Sequence, residues 1–314
     1  MSLFNLVKLR QALTNTLDAN SVIEPIQLLR DRINNIKFQV DVLSPEHVEY
    51  INGLVSYYEN LIVEAEKPVK EFEQQLAKLN NEINAVTRQL FTNNYELEER
   101  YGSAEQVRIT RRLPIADEIK DTVKQRILLH TSWKYPALEI GCRDGEWTEH
   151  LVAADPLYII DPHKDFLDST NSKFPELFQS RLRKYQLKNN DLSALPKNQF
   201  GFVFSWNYFN YVSLDTMHQF LKQAFEVLRP GGIFMFSYND GDTPAGAGMA
   251  ESFSQSYMPK SILVPLCLSL GFTIADEYDF EPNTSWLELK KPGTLHTIKS
   301  HQVLGEIIYK NFAP

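Results

Sequence analysis

Between Val48 and Leu90 the apolar residues fall on one helical seam. Val48, Ile51, Val55, Tyr58, Ile62, Ala65, Val69, Phe72, Leu76, Leu79, Ile83, Val86 and Leu90 step by three and four without a slip. This is the a/d pattern of a coiled coil, and it lasts about six heptads where three or four suffice to argue one. At about 1.5 Å per residue the helix exceeds 60 Å. Ser44 before Pro45 suits an N-cap followed by proline at the first helical position. Pro68 removes one backbone donor, so a kink or a junction between two helices is expected there. Tyr101-Gly102-Ser103 supplies a stop. The stripe can pack on helices predicted at 2–18 and 22–37 of its own chain, or it can form an oligomerising stalk. The two short helices are together too short to shield six heptads, which favours self-association through residues 48–97. Strand number and orientation stay open.

Glycine marks where this pattern ends. Of 13 glycines only Gly53 and Gly102 precede residue 131, and all four tryptophans follow it. Long helices avoid glycine, whereas an α/β domain collects it at turns and ligand loops. The chain therefore reads as a helical region over 1–102, a connector with one helix over 103–134, an α/β domain over 135–293 and a C-terminal tail or helix over 294–314. The connector carries Arg108, Arg111 and Arg112, read as a solvated or interdomain surface.

Charge and cysteine content narrow the class. Net charge is -8 over 314 residues, and a general nucleic-acid binder advertises a basic domain. Two cysteines, Cys142 and Cys267, make no disulfide framework and suit a reducing, cytoplasmic compartment. No apolar run reaches the roughly 18 residues of a membrane span. No His, Asp and Glu set has metal-ligand spacing, so no metal is expected.

After Trp133 short apolar runs alternate with amphipathic stretches, the mark of βαβ units. Strands are expected at 136–140, 157–160, 183–187, 201–205, 232–237, 272–278 and 284–290. Helices are expected at 146–153, 164–169, 174–178, 213–228 and 258–270. Seven strands with intervening helices make one doubly wound, mostly parallel sheet. Its first strand runs into Gly141-Cys142-Arg143-Asp144-Gly145, where the glycines let the backbone pass tightly beneath a ligand. The second strand, Leu157-Tyr158-Ile159-Ile160, ends in Asp161. A carboxylate there can accept both ribose hydroxyls of a nucleoside.

On these residues the stretch 136–290 resembles the class I, seven-stranded S-adenosylmethionine-dependent methyltransferases. ALEIGCRDG is similar to their first motif, Asp161 to their ribose-binding acid, and Asn190-Asp191-Leu192 with Leu195-Pro196 to the motif flanking the adenine. FGFVFSWNYFNYV resembles their fourth strand and turn, and Leu228-Arg229-Pro230-Gly231-Gly232 the turn before their fifth. The resemblance implies S-adenosylmethionine as cofactor, held by Glu139, Gly141, Arg143 through its backbone, Gly145, Asp161, Asp191 and Ser205. It places Asn207 and Tyr211 on the catalytic, acceptor side. Arg143 and Gly201 depart from the family pattern, where a glycine and an aspartate are common.

No NPPY-like run and no suitably placed nucleophilic cysteine appear, which with the acidic charge disfavours nucleobase methylation. The acceptor is then a small molecule or a protein side chain. His163 is expected near the adenine edge and His150 in a structural place. The small residues of 239–249 read as a mobile lid or a plain connector. The rival reading is an assembly protein, such as a subunit of a virion or other large complex, in which the methyltransferase-like module is structural.

Overall fold

The computed structural model describes residues 2–19, 23–39, 45–101, 115–280 and 284–295. The expectations for Ser44, for Arg108, Arg111 and Arg112, and for a helix after residue 295 lie outside these residues. The chain divides into two compact units, 1–89 and 90–314, and the division falls inside a helix.

The first unit holds helices α1 (Leu3–Ala19) and α2 (Ile23–Gln39) and the first part of α3 (Pro45–Tyr101). α3 is one helix of 57 residues that continues through Pro68 without breaking into two. Ile26 and Ile33 of α2 are buried with Val55 and Ile62 of the seam, flanked by half-buried Ile51, Tyr58 and Ala65. Arg30 pairs with Glu66 at 2.5 Å and Lys37 with Glu59 at 2.9 Å along the same contact. Leu79 and Ile83 further along the seam are buried too. The chain thus covers much of the stripe itself.

The second unit is built on a seven-stranded sheet of order β3-β2-β1-β4-β5-β7-β6. Its strands are β1 (Ala137–Ile140), β2 (Leu157–Asp161), β3 (Leu182–Gln186), β4 (Phe200–Ser205), β5 (Leu228–Tyr238), β6 (Thr273–Phe280) and β7 (Thr284–Lys290). β7 runs antiparallel to both its neighbours and the other pairings are parallel. Helices are α4 (Asp117–His130), α5 (Lys164–Ser172), α6 (Glu176–Gln179), α7 (Leu214–Val227), α8 (Pro244–Glu251) and α9 (Lys260–Ser269).

Both faces of the sheet are covered, so its central strands are apolar in succession rather than alternating. Leu138, Val203, Phe234 and Phe236 pack with Phe220, Leu221 and Leu263 of α7 and α9. Ala137, Phe202, Phe204 and Met235 pack with Ile119, Val123 and Ile127 of α4 and Leu167 of α5. α4 is also tied to β7 through the fully buried Glu288, which accepts from Arg126 Nε at 2.6 Å and shares a hydrogen bond with His130 Nε2 at 2.8 Å. Among the described residues no helix is long and apolar enough to cross a membrane.

Two expectations are corrected. The helix expected at 146–153 is a single 3-10 turn, Thr148–His150. Thr148, Leu151 and Ala154 are all buried, and the bonds Leu151 N–H to Thr148 O and Ala154 N–H to Leu151 O close three-residue rings. That spacing matches the period of a 3-10 helix and not 3.6. The segment 239–249 holds the start of a helix, α8, where a loop was expected. Asn239 is buried and its Nδ2 donates to Gly246 O and Ser256 O, both at 2.9 Å. Thr243 then caps α8, accepting from Gly246 N–H with Pro244 in the first turn.

Candidate active site

The strand order reverses between β1 and β4, and a cavity of about 300 Å³ opens at the carboxyl ends of the strands beside that point. Its wall takes Gly141 from the turn after β1, Asp161 from the tip of β2, Leu187 from the end of β3 and Asn207 from the turn after β4. Phe166 of α5, Tyr208, Tyr211 and Val212 add apolar surface.

Asp161 is buried, and two backbone N–H groups converge on its carboxylate. Arg143 N–H donates to Oδ2 at 3.0 Å and His163 N–H to Oδ1 at 2.9 Å. Burial raises the Asp161 pKa above the ordinary range, against the pull of those two bonds. A carboxylate offers about four acceptor positions, so lone pairs remain on both oxygens for hydroxyl donors.

The turn between β1 and Trp147 is shaped by backbone conformation. Gly141 has φ +74°, and a Cβ added there would stand 2.5 to 2.9 Å from Tyr208 side-chain atoms. Arg143 adopts φ 48°, which is left-handed, and spends its backbone on both sides of the turn. Its N–H goes to Asp161, and its carbonyl accepts from Thr170 Oγ1 at 2.8 Å.

Of the nine residues expected at the site, Gly141, Arg143, Asp161, Asn207 and Tyr211 line the cavity. Four lie outside its lining. Glu139 is buried in β1 and accepts from Thr148 Oγ1 at 2.5 Å. Gly145 has φ +79° and faces Thr170, which a Cβ would meet at 2.8 Å. Ser205 donates to Ile140 O at 3.0 Å, joining β4 to β1. Asp191 bonds Ser193 N–H and Oγ, which lower its pKa, while the adjacent Asn189 and Asn190 face the cavity. Both asparagines are left-handed, at φ 53° and 54°.

Asn207 is also left-handed, at φ 55°, with its N–H donating to Ser237 Oγ at 2.8 Å. Burial pushes the Tyr211 phenol up to about 12 and holds the Tyr208 phenol above its ordinary range. His163 lines the cavity and sets its ring edge-on to Phe166 at 5.5 Å. His150 lies outside the lining, beside Glu149 at 3.3 Å, and burial lowers its pKa. Cys142 and Cys267 are buried free thiols. Among the described residues no group of three His, Cys, Asp or Glu could hold a metal ion.

The cavity has two further walls that the sequence reading missed: Glu98 and Tyr101, from the last turns of α3. These turns belong to the second unit. Asn94 Nδ2 donates to Tyr257 O at 2.9 Å, and Tyr257 N–H donates back to Asn94 Oδ1 at 2.8 Å. Tyr95 Oη donates to Asp215, and Leu97 is buried. A signal was present, because the seam steps on past Leu90 through Asn94, Leu97 and Tyr101.

Residues 138–234 match a protein family described as "Methyltransferase domain". No curated protein sequence matches the chain. Among solved structures, an S-adenosylmethionine-dependent methyltransferase from Mesorhizobium loti is 14% identical, over 54% of this chain and 96% of its own, with a TM-score of 0.45. Geranyl diphosphate C-methyltransferase from Streptomyces coelicolor A3(2), in complex with Mg2+, geranyl diphosphate and S-adenosyl-L-homocysteine, is 10% identical over 56% of this chain and 81% of its own, with a TM-score of 0.47. A methyltransferase from Aquifex aeolicus is 14% identical, over 54% and 89%, with a TM-score of 0.42. The seven-stranded order β3-β2-β1-β4-β5-β7-β6 and the match of residues 138–234, about a third of the chain, to a methyltransferase-domain family fall on the same sheet, so this stretch is similar to methyltransferase domains.

Proposed function

We propose that the cavity holds S-adenosylmethionine and that the protein transfers a methyl group to a small molecule or a protein side chain. The observation that carries this reading is Asp161, a buried carboxylate at the tip of β2 with lone pairs left on both oxygens. Nothing else in the cavity asks so specifically for a pair of hydroxyl donors. About 300 Å³ lies at the lower end of the range for small-molecule sites, and the apolar walls suit a nucleobase.

In this reading Asp161 accepts from the ribose, and Gly141 and the Arg143 backbone shape the floor. Asn189, Asn190 and His163 border the base, with Phe166 and Leu187 as apolar walls. Asn207 and Tyr211 stand toward the acceptor. When bound, S-adenosylmethionine supplies a methyl group on a sulfonium. In-line displacement by an acceptor lone pair moves that methyl and leaves S-adenosylhomocysteine, so alignment and exclusion of water carry much of the acceleration. A phenol held at about 12 stays protonated near neutrality, so Tyr211 orients and donates rather than serving as a base.

Self-association through residues 48–97 belongs to the same reading. What supports it is a second apolar stripe on α3, where Tyr50, Tyr57 and Leu61 are exposed and Leu54 between them is half-buried. These positions follow the helical spacing i, i+4, i+7, i+11, which makes one continuous face. Two buried free thiols suit a reducing, cytoplasmic setting.

Titration calorimetry of the full chain with S-adenosylhomocysteine tests the cofactor assignment. One-to-one saturable binding is expected. Absence of both binding heat and a thermal shift at millimolar ligand would overturn it.

A further inference from the structure

We infer that Glu98, near the end of α3, is a positioning residue of the cofactor site, holding the base-side wall of the cavity in place. The inference rests on the cofactor reading above and adds a residue that lies 40 positions upstream of the family-matched segment.

One carboxylate joins two walls. Glu98 Oε1 accepts from Asn190 Nδ2 at 3.3 Å and from Thr216 Oγ1 at 2.6 Å. Glu98 Oε2 accepts from Ser213 N–H at 2.8 Å. Asn190 stands in the loop after β3, whereas Ser213 caps α7 and Thr216 lies in its first turn. The backbone of Asn190 is held separately, its carbonyl accepting from Gln223 Nε2 at 2.8 Å and Gln219 Nε2 at 3.2 Å. Asn190 lines the cavity from a left-handed residue, and the Glu98 oxygen fixes the direction of its side chain. A charged acceptor makes such bonds about twice as strong as a neutral one. α3 also has its own anchors here, in Asn94 and Leu97, so Glu98 is not needed merely to dock the helix.

The two oxygens separate the functions. Glu98→Gln keeps an oxygen for Thr216 and Asn190 and turns an amide toward Ser213 N–H, which then loses its acceptor. If Glu98 acts through Asn190, this variant binds S-adenosylhomocysteine within about threefold of wild type while its melting temperature falls. Glu98→Ala frees Asn190, and binding is expected to weaken tenfold or more. Asn190→Ala should weaken binding by a similar factor, and the double variant no further than the worse single one.

Calorimetry with S-adenosylhomocysteine on the full chain, with melting followed in parallel, reads all four. Wild-type affinity in Glu98→Ala overturns the inference, and so do losses that multiply in the double variant. If Glu98→Ala fails to fold, the test passes to Glu98→Gln with and without Asn190→Ala. There, a tenfold loss from Gln alone overturns it, and so does wild-type affinity in Asn190→Ala, whereas a loss in Asn190→Ala that Glu98→Gln does not share supports it. Failure of the wild-type chain to bind sinks the cofactor reading itself, a different result from wild-type binding that Glu98→Ala leaves unchanged.

Discussion

Tyr101, the last residue of α3, lies stacked on Tyr211 with ring centroids 4.2 Å apart and planes inclined by 28°. Such a pair contributes about 0.5–1.5 kcal/mol beyond its buried area. Tyr101→Ala should therefore weaken binding of S-adenosylhomocysteine modestly, about tenfold at most, and leave the fold of 115–295 unchanged by circular dichroism. Tyr211→Phe keeps the stack, and since a phenol at about 12 does not ionise between pH 6 and 9, the rate–pH profile should keep its shape. A basic limb that disappears in Tyr211→Phe would assign it a proton-transfer role instead.

Asp161→Ala should weaken S-adenosylmethionine and S-adenosylhomocysteine equally, by roughly 2–3 kcal/mol, because both carry the ribose. Burial raises the pKa of this carboxylate, so protonation begins at a higher pH than for an exposed aspartate. Affinity should thus fall on acidification, starting above the ordinary aspartate range. Calorimetry from pH 7.5 down to 5 measures it, and an equal fall in Asp161→Ala would point elsewhere.

Gly141→Val is expected to abolish cofactor binding. The site needs φ +74° and has Tyr208 side-chain atoms where a side chain would begin. Left-handed backbone costs an L-residue roughly 1–2 kcal/mol, more for a β-branched one. The rigid Cβ of Tyr208 must also shift, so a lower melting temperature accompanies the loss. Unchanged affinity would remove Gly141 from the site.

Asp240 offers a prediction away from the cavity. Its Oδ1 accepts from Asp242 N–H and Lys260 N–H, both at 2.9 Å, and burial raises its pKa from 3.8 to about 6. The folded state prefers the protonated form. Its relative stability is therefore highest below pH 3.8 and falls as pH rises through 6, by up to about 3 kcal/mol. Asp240→Asn keeps the shared oxygen without the charge. It should melt higher than wild type at pH 7.5, with the gap closing toward pH 4; a constant gap would deny the titration.

Light scattering at micromolar concentration reads self-association through 48–97, and Tyr57→Asp with Leu61→Asp should yield monomers that still bind cofactor. Both side chains are exposed within the chain, so the change leaves the α2 contact intact. A monomeric wild type would end that part of the proposal.

Much of the sheet was legible in the sequence, since a two-face-buried strand such as Phe200–Ser205 is an unbroken apolar run with turns at its ends. Asp161 was legible because the apolar run Leu157–Ile160 before it sets its place at a strand tip. Glu98 was not, since its partners lie 92 to 118 positions away, and no local period reports such a meeting. Asn190 lines the cavity and Asp191 does not, a difference the sequence did not show because neighbours in a loop have no period that says which one faces inward. The cover that α2 gives the seam was underweighted for a related reason. A seam states that it needs a partner and not which chain supplies it.

The place of β7 has a consequence for biosynthesis. It sits between β5 and β6, although it follows β6 in the chain. While the polypeptide is being made, β5 presents an unpaired edge and β6 has no neighbour to join until residues 284–290 have emerged. The two final strands must then enter together as a hairpin, bringing Glu288 to Arg126 and His130. The sheet consequently closes only once residues 284–290 have emerged, and until then the β7-facing edge of the aromatic β5, Phe234 and Phe236 included, stays unpaired.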